Sequence, residues 1–141
     1  MVKDFVQAIL QTQSSYRQAI HRKIREHNID VTFEMLHVMR CLATEGKVNQ
    51  QELAYKTYKD KSSLSYLIKN LEKRGLVCRE EDVHDKRNKL VEFTHEGEKL
   101  YEHIHGLVEE VYSKIEQDVN RDHMAKCIAY LEEFNKSIKE G

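Results

Sequence analysis

Residues 49–97 read NQQELAYKTYKDKSSLSYLIKNLEKRGLVCREEDVHDKRNKLVEFTHEG, and the fold turns on them. Asn49-Gln50-Gln51-Glu52 has the form of a capping box. Asn49 accepts from the amide of Glu52, and Glu52 reaches back to the amide of Asn49. The helix this opens is short, with Leu53 and Ala54 inward, and the small Ala54 lets a second helix cross closely. Thr57-Tyr58-Lys59-Asp60 makes a turn without the Gly often found between two such helices. Asp60 caps the next helix, and its charge suits the positive helix N-terminus. Leu64, Leu67, Ile68 and Leu71 recur at i, i+3, i+4 and i+7, an apolar stripe. Lys73-Arg74-Gly75 closes that helix with basic residues and a C-terminal Gly.

Leu76-Val77-Cys78-Arg79 begins a strand, and Leu90-Val91-Glu92-Phe93 is its return partner. Between them Glu80 to Lys89 form a polar, charged tip. Thr94 caps a further helix within Thr94-His95-Glu96-Gly97. Two short helices, a two-stranded ribbon with a charged tip and the start of another helix follow the plan of a winged helix-turn-helix. Such a module places a helix in one DNA groove and a loop in the next.

The face of the second helix opposite its stripe carries Lys61, Ser62, Ser63, Ser65, Tyr66 and Lys69. It is polar and compact at its N-terminal end, and short hydroxyl side chains let a backbone approach base edges and phosphates. A plain solvent-exposed face, with Ser chosen for capping, has the same composition. Arg87 at the hairpin tip is placed to enter a minor groove, where narrow A·T tracts concentrate negative potential. Asp85 cannot favour phosphate; its expected role is to pair with a nearby Arg and shape the loop. An ordinary charged hairpin is the alternative.

Outside this stretch the chain reads as helical scaffolding. Phe5, Ile9, Tyr16, Ile20 and Ile24 mark one stripe of a long helix over 3–27, ended by Asn28. Thr32 caps a helix carrying Met35, Leu36, Met39 and Leu42, which stops at Glu45-Gly46. The helix after Thr94 carries Leu100, Ile104, Leu107, Val111 and Ile115, with Gly106 permitting a bend or a close crossing. Asn120-Arg121-Asp122 breaks the run, and a last helix shows Met124, Ile128, Leu131, Phe134 and Ile138. The terminal helices offer more apolar stripe than one small winged domain covers, and a two-fold dimer interface is the simplest use of it. The expectation is therefore a mainly α fold with a small β-hairpin, a single domain over 1–141. Its winged helix-turn-helix core is 30–97, flanked by dimerisation helices at 1–28 and 98–141.

Composition bounds the function. In 141 residues there is no Pro and only 5 Gly, which suits a helical chain. Neither an apolar run of membrane-spanning length nor a signal-peptide core appears, so the expected location is cytoplasmic. The three cysteines, Cys41, Cys78 and Cys127, are scattered and form no CxxC pair, so reduced thiols are expected. Net charge is −1 overall, yet residues 56–89 carry a net of +4 and residues 90–141 a net of −6. Basic charge gathers where the groove-reading elements are expected, although a solvated surface is equally compatible with the split. No nucleophile elbow, phosphate loop, HExxH or paired-Cys metal site is present, so the expectation is a non-enzyme with no cofactor and no metal. The rival is a winged-helix protein-interaction module without specific DNA binding.

The ordered set resembles the MarR family of bacterial transcriptional regulators. The matching pieces are Glu52-Leu53-Ala54, Leu71-Glu72-Lys73-Arg74-Gly75-Leu76-Val77, Asp85-Lys86-Arg87 and Phe93-Thr94-His95-Glu96-Gly97. The family's wing signature is Asp-x-Arg followed by Leu-Thr-x-x-Gly, and here Phe93 replaces the Leu. The resemblance implies a homodimer built from the terminal helices, with a recognition helix over Lys61–Arg74 in the major groove and Arg87 in the minor groove. It implies a repressor reading pseudo-palindromic operators, and a small aromatic effector that releases DNA from a pocket between the dimerisation helices and the winged domain. Tyr16, Met35, His37 and Met39 fall on elements that border that pocket in relatives, although each is also an ordinary core residue. Thiol and metal sensing are weaker readings. No Cys precedes residue 41, and His103 and His105 face different sides of their helix, while His105 and Glu109 do share i, i+4 spacing.

Overall fold

The computed structural model describes every residue but Lys86. In chain order its elements are α1 (Val2–Glu26), α2 (Phe33–Glu45), β1 (Val48–Asn49), α3 (Gln50–Thr57), α4 (Lys61–Lys73), β2 (Val77–Glu81), β3 (Lys89–Phe93), α5 (His95–Glu116) and α6 (Arg121–Glu140). They form two compact units, Met1–Val108 and Glu109–Gly141.

Local capping sets most boundaries in the first unit. The Thr32 hydroxyl accepts the Met35 N–H at 3.1 Å and starts α2, and Gly46 ends it at φ +77°. The Asn49 side chain accepts the Glu52 N–H at 2.8 Å. The return half of that box differs from expectation. Glu52 accepts from the Asn49 side-chain amide at 2.9 Å rather than from its main chain, because Asn49 also belongs to β1. Tyr58 takes the left-handed conformation at φ 56° and turns the chain from α3 into α4 without a glycine.

The core lies where α1, α2, α3, α4 and α5 meet the sheet. Ile20, Ile24, Val38, Met39, Leu53 and Ile104 are among its water-free side chains. Ala54 is buried between α3 and its neighbours, as its size suggested. Leu64, Ile68 and Leu71 form the inward stripe of α4, with Leu67 only half-buried at its margin.

Two expectations about the ribbon are corrected. It has three antiparallel strands in the order β1-β3-β2, because Val48 and Asn49 pair with Val91 and Leu90. The tip is also shorter than Glu80 to Lys89. Glu80 pairs with Leu90 and Glu81 with Lys89, and the Lys89 ammonium reaches Glu81 at 3.4 Å. Opposite charges facing each other across the ladder keep these polar residues extended. At Gly106 α5 runs on as helix, and among the described residues nothing lies within 4 Å of a Cβ position.

In the second unit, the Asn120 side chain accepts the His123 N–H at 3.0 Å and opens α6. Tyr130 and Phe134 stack with centroids 6.5 Å apart. Met124, Ile128 and Ile138 remain open to solvent. Among the described residues, no helix is long and apolar enough to cross a membrane.

Candidate nucleic-acid interface

Helix α4 divides cleanly into two faces. Leu64, Ile68 and Leu71 are buried, and Lys61, Ser62, Ser63, Tyr66 and Lys69 are exposed. Ser65 is half-buried at the border. Asp60 opens the helix by accepting the Ser63 N–H at 2.7 Å, and its second oxygen accepts the Ser63 hydroxyl at 3.1 Å. Those two bonds, led by the one from the main chain, hold the Asp60 carboxyl below the ordinary carboxylate range. Ser63 is thus committed in part to the cap, and Ser62 is the freer hydroxyl at this end.

The hairpin tip is shaped by its own aspartates. Asp82 accepts the His84 N–H at 3.0 Å, and Asp85 accepts the Arg87 N–H at 3.1 Å. The Asn88 N–H donates to the Asp85 carbonyl at 3.0 Å. Asp85, expected to pair with a nearby Arg and shape the loop, meets Arg87 through the main-chain N–H of that residue. Lys86, between them in the motif, lies outside the described residues.

A cleft of about 400 Å³ joins the two elements, lined by Gln50, Gln51, Lys61, Leu64, Ser65, Asp85, Arg87, Asn88 and Lys89. It brings Lys61 and Ser65 of α4 to the same opening as Asp85 and Arg87 of the wing. Gln50, Gln51 and Asn88 join them. Sequence reasoning missed these three, because the glutamines read only as part of a capping box. A second, shallower hollow of about 470 Å³ is lined by Glu34, Lys59, Ser62, Ser63, Tyr66 and Leu67. Lys69 lines neither.

Ion pairing sorts the basic residues. Lys56 is held by Glu45 at 2.6 Å, Arg79 by Glu72 at 2.9 Å and Lys89 by Glu81 at 3.4 Å. Among the described residues, no ion pair engages Lys61, Lys69 or Arg87, so these keep their charge for a partner.

The residues weighed as sensors have ordinary surroundings. Met35 and Met39 are core, and the Arg74 guanidinium donates to the Met35 sulfur at 3.6 Å. Tyr16 meets the Phe33 ring edge-on at 5.8 Å. His37 is half-buried, and burial, then Arg40 and Lys59, push its imidazole toward the neutral form. His103 packs edge-on against His27, and His105 stacks on Tyr101. Among the described residues, no group of His, Cys, Asp or Glu gathers as a metal site.

The model of the MarR family matches residues 31–89. The HTH-type transcriptional regulator FarR of Neisseria gonorrhoeae is 34% identical over 122 residues, covering 85% of this chain and 84% of that protein. The homoprotocatechuate degradative operon repressor of Escherichia coli is 28% identical over 127 residues, covering 90% and 84%. Among solved structures, NadR in complex with 4-hydroxyphenylacetate is 31% identical with a TM-score of 0.74, covering 90% and 89%. A mutant MarR of Escherichia coli complexed with operator DNA has a TM-score of 0.85 over 94% of each chain; at 19% identity this is a likeness of fold.

Proposed function

The chain belongs to the MarR family of transcriptional regulators, and from that premise we propose that it is a homodimeric repressor that reads a pseudo-palindromic operator and lets go when a small aromatic ligand binds. One observation carries the reading: a single cleft opens between α4 and the wing, and Lys61, Ser65 and Arg87 all line it. A phosphate ridge passing through this cleft would put α4 in the major groove and the wing in the adjacent minor groove. Ser62, Ser63, Ser65 and Tyr66 then face base edges and sugar, while Lys61, Lys69 and Arg87 neutralise phosphate or enter the minor groove.

The uncovered apolar side chains of α6, with Val2 and Leu10 of α1, support a two-fold dimer. Two-fold symmetry in turn calls for two half-sites about one helical turn apart, ~10 bp. The repressor role and the aromatic ligand rest on the relatives, one of them a homoprotocatechuate operon repressor and another complexed with 4-hydroxyphenylacetate. An operator-reading regulator works in the cytoplasm.

Selection from a randomised duplex pool at near-physiological salt tests the reading. Enrichment of a two-fold symmetric motif, released when 4-hydroxyphenylacetate is titrated in, is the expected result. Weak binding that vanishes as salt rises, with no motif enriched, would replace the reading with a protein-interaction winged helix.

A further inference from the structure

Arg17 of α1 and Glu34 of α2 are joined, guanidinium to carboxylate, at 2.5 Å. The Arg17 guanidinium also lies over the Phe33 ring, 4.7 Å from its centroid, and Tyr16 flanks the same ring. The head group is therefore held between a carboxylate and an aromatic face. Both side chains remain about two-fifths exposed, at 42% and 36%. A pair this open contributes little to stability, so its position is the informative feature.

That position is the edge of the reading surface. Glu34 lines the hollow onto which Ser62, Ser63 and Tyr66 open, together with the half-buried Lys59. Burial pushes the Glu34 carboxyl up, but its own main-chain amide, Arg17 and Lys59 together outweigh this and keep it ionised. A bare carboxylate in the hollow that Ser62 and Ser63 also line would repel phosphate docked at that end of α4, since screening acts only over about 10 Å at 0.1 M salt. Its pull on Lys59, which lines the same hollow and already acts on this carboxyl, would also strengthen once Arg17 no longer shares it.

We propose that Arg17 is a positioning residue for DNA reading. It pins and neutralises Glu34, which otherwise repels phosphate and captures Lys59 at the N-terminal end of α4. Lys59 is then a further phosphate contact that the pair keeps available. The inference rests on the DNA-reading function above, and it links α1 to the recognition helix through charge, with no movement of the helix required.

The test is a double-mutant cycle on full-length protein, with affinity for the selected operator measured across a salt series. Arg17→Gln is expected to weaken binding about tenfold and to lower the salt slope by about one as Lys59 turns to Glu34. Glu34→Gln is expected to bind as well as the parent or better, and Arg17→Gln in the Glu34→Gln background is expected to cost less than twofold. Arg17→Lys, which keeps the charge, should bind within threefold of the parent. The Glu34→Gln result stands independently if Arg17→Gln folds poorly. If Arg17→Gln weakens binding equally in both backgrounds, or Glu34→Gln weakens it, Arg17 is only a brace between α1 and α2 and the proposal fails while DNA reading survives. A parent protein that binds no duplex specifically removes both.

Discussion

The carbonyl oxygen of Leu76 lies 1.9 Å from where a Cβ on Gly97 would stand. The chain leaving α4 and the first turn of α5 are pressed together there, and the Phe93 ring closes the same space at 2.9 Å. No side chain fits against a backbone atom at that distance. Gly97→Ala is expected to destabilise the fold by about 3 kcal/mol, as overpacking does when main chain must move. Gly106→Ala, with open space around it, should instead raise stability by about 1 kcal/mol through helix propensity. Thermal unfolding of both variants checks the pair, and equal effects would refute the packing argument.

Thr94 ties the same junction. Its hydroxyl donates to the Gly75 carbonyl at 2.6 Å and accepts the Gly97 N–H at 3.1 Å. Thr94→Val keeps the shape and leaves both partners unpaired, so a loss of about 2 kcal/mol is expected. Denaturant unfolding measures it, and an unchanged midpoint would show that water replaces both bonds.

Arg87 and Lys89 sit on one wing but differ in pairing, because Lys89 is held by Glu81 and Arg87 is not. Arg87→Ala is expected to lower the salt slope of operator binding by about one, a single phosphate's worth. Lys89→Ala should lower it by less. A titration in rising salt decides, and a reversed order would reject the sorting by ion pairs.

The Asp60 carboxyl has a depressed pKa because the folded chain donates two hydrogen bonds to its charged form. Its contribution to stability is therefore complete above the ordinary carboxylate value and is lost as pH falls through the lower, folded one. Asp60→Asn retains an N-cap but cannot ionise. The variant should lose less stability than the parent when both are acidified below pH 4, as followed by circular dichroism.

Cys78 is exposed, yet burial first, then Glu92 and Glu80, push its thiol above the ordinary value, outweighing Lys47. Alkylation at neutral pH should be slow for so open a thiol and should speed up in Glu92→Gln. Rapid modification of the parent at pH 7 would restore thiol oxidation as a candidate signal.

Much of the architecture is legible in the sequence because helix caps are local. Thr32, Asn49, Asp60 and Asn120 each accept from an amide three residues on, so residue type and spacing suffice. Strand β1 is not legible, since two residues show no alternation and their partners lie on β3. The outward face of α4 follows as the complement of its apolar stripe, but the second bond, from the Ser63 hydroxyl to Asp60, does not. Nor does the availability of each cation. Lys47 finds Glu80 at a sequence separation of 33 residues, and only tertiary structure decides which charges are consumed this way. Gln50 and Gln51 escape for a related reason, because nothing local says that the wing folds beside them.

Asn49 belongs at once to the sheet, opposite Leu90, and to α3, whose first turn it caps. The wing and the helix-turn-helix are thereby riveted at one residue that lies outside α4. On the proposed reading the protein acts as a ruler: the span between α4 and the wing is set by the sheet pairing and helix cap of Asn49, while the outward side chains of α4 remain exchangeable. Substitutions along α4 are then expected to rewrite the letters of a half-site without altering its length.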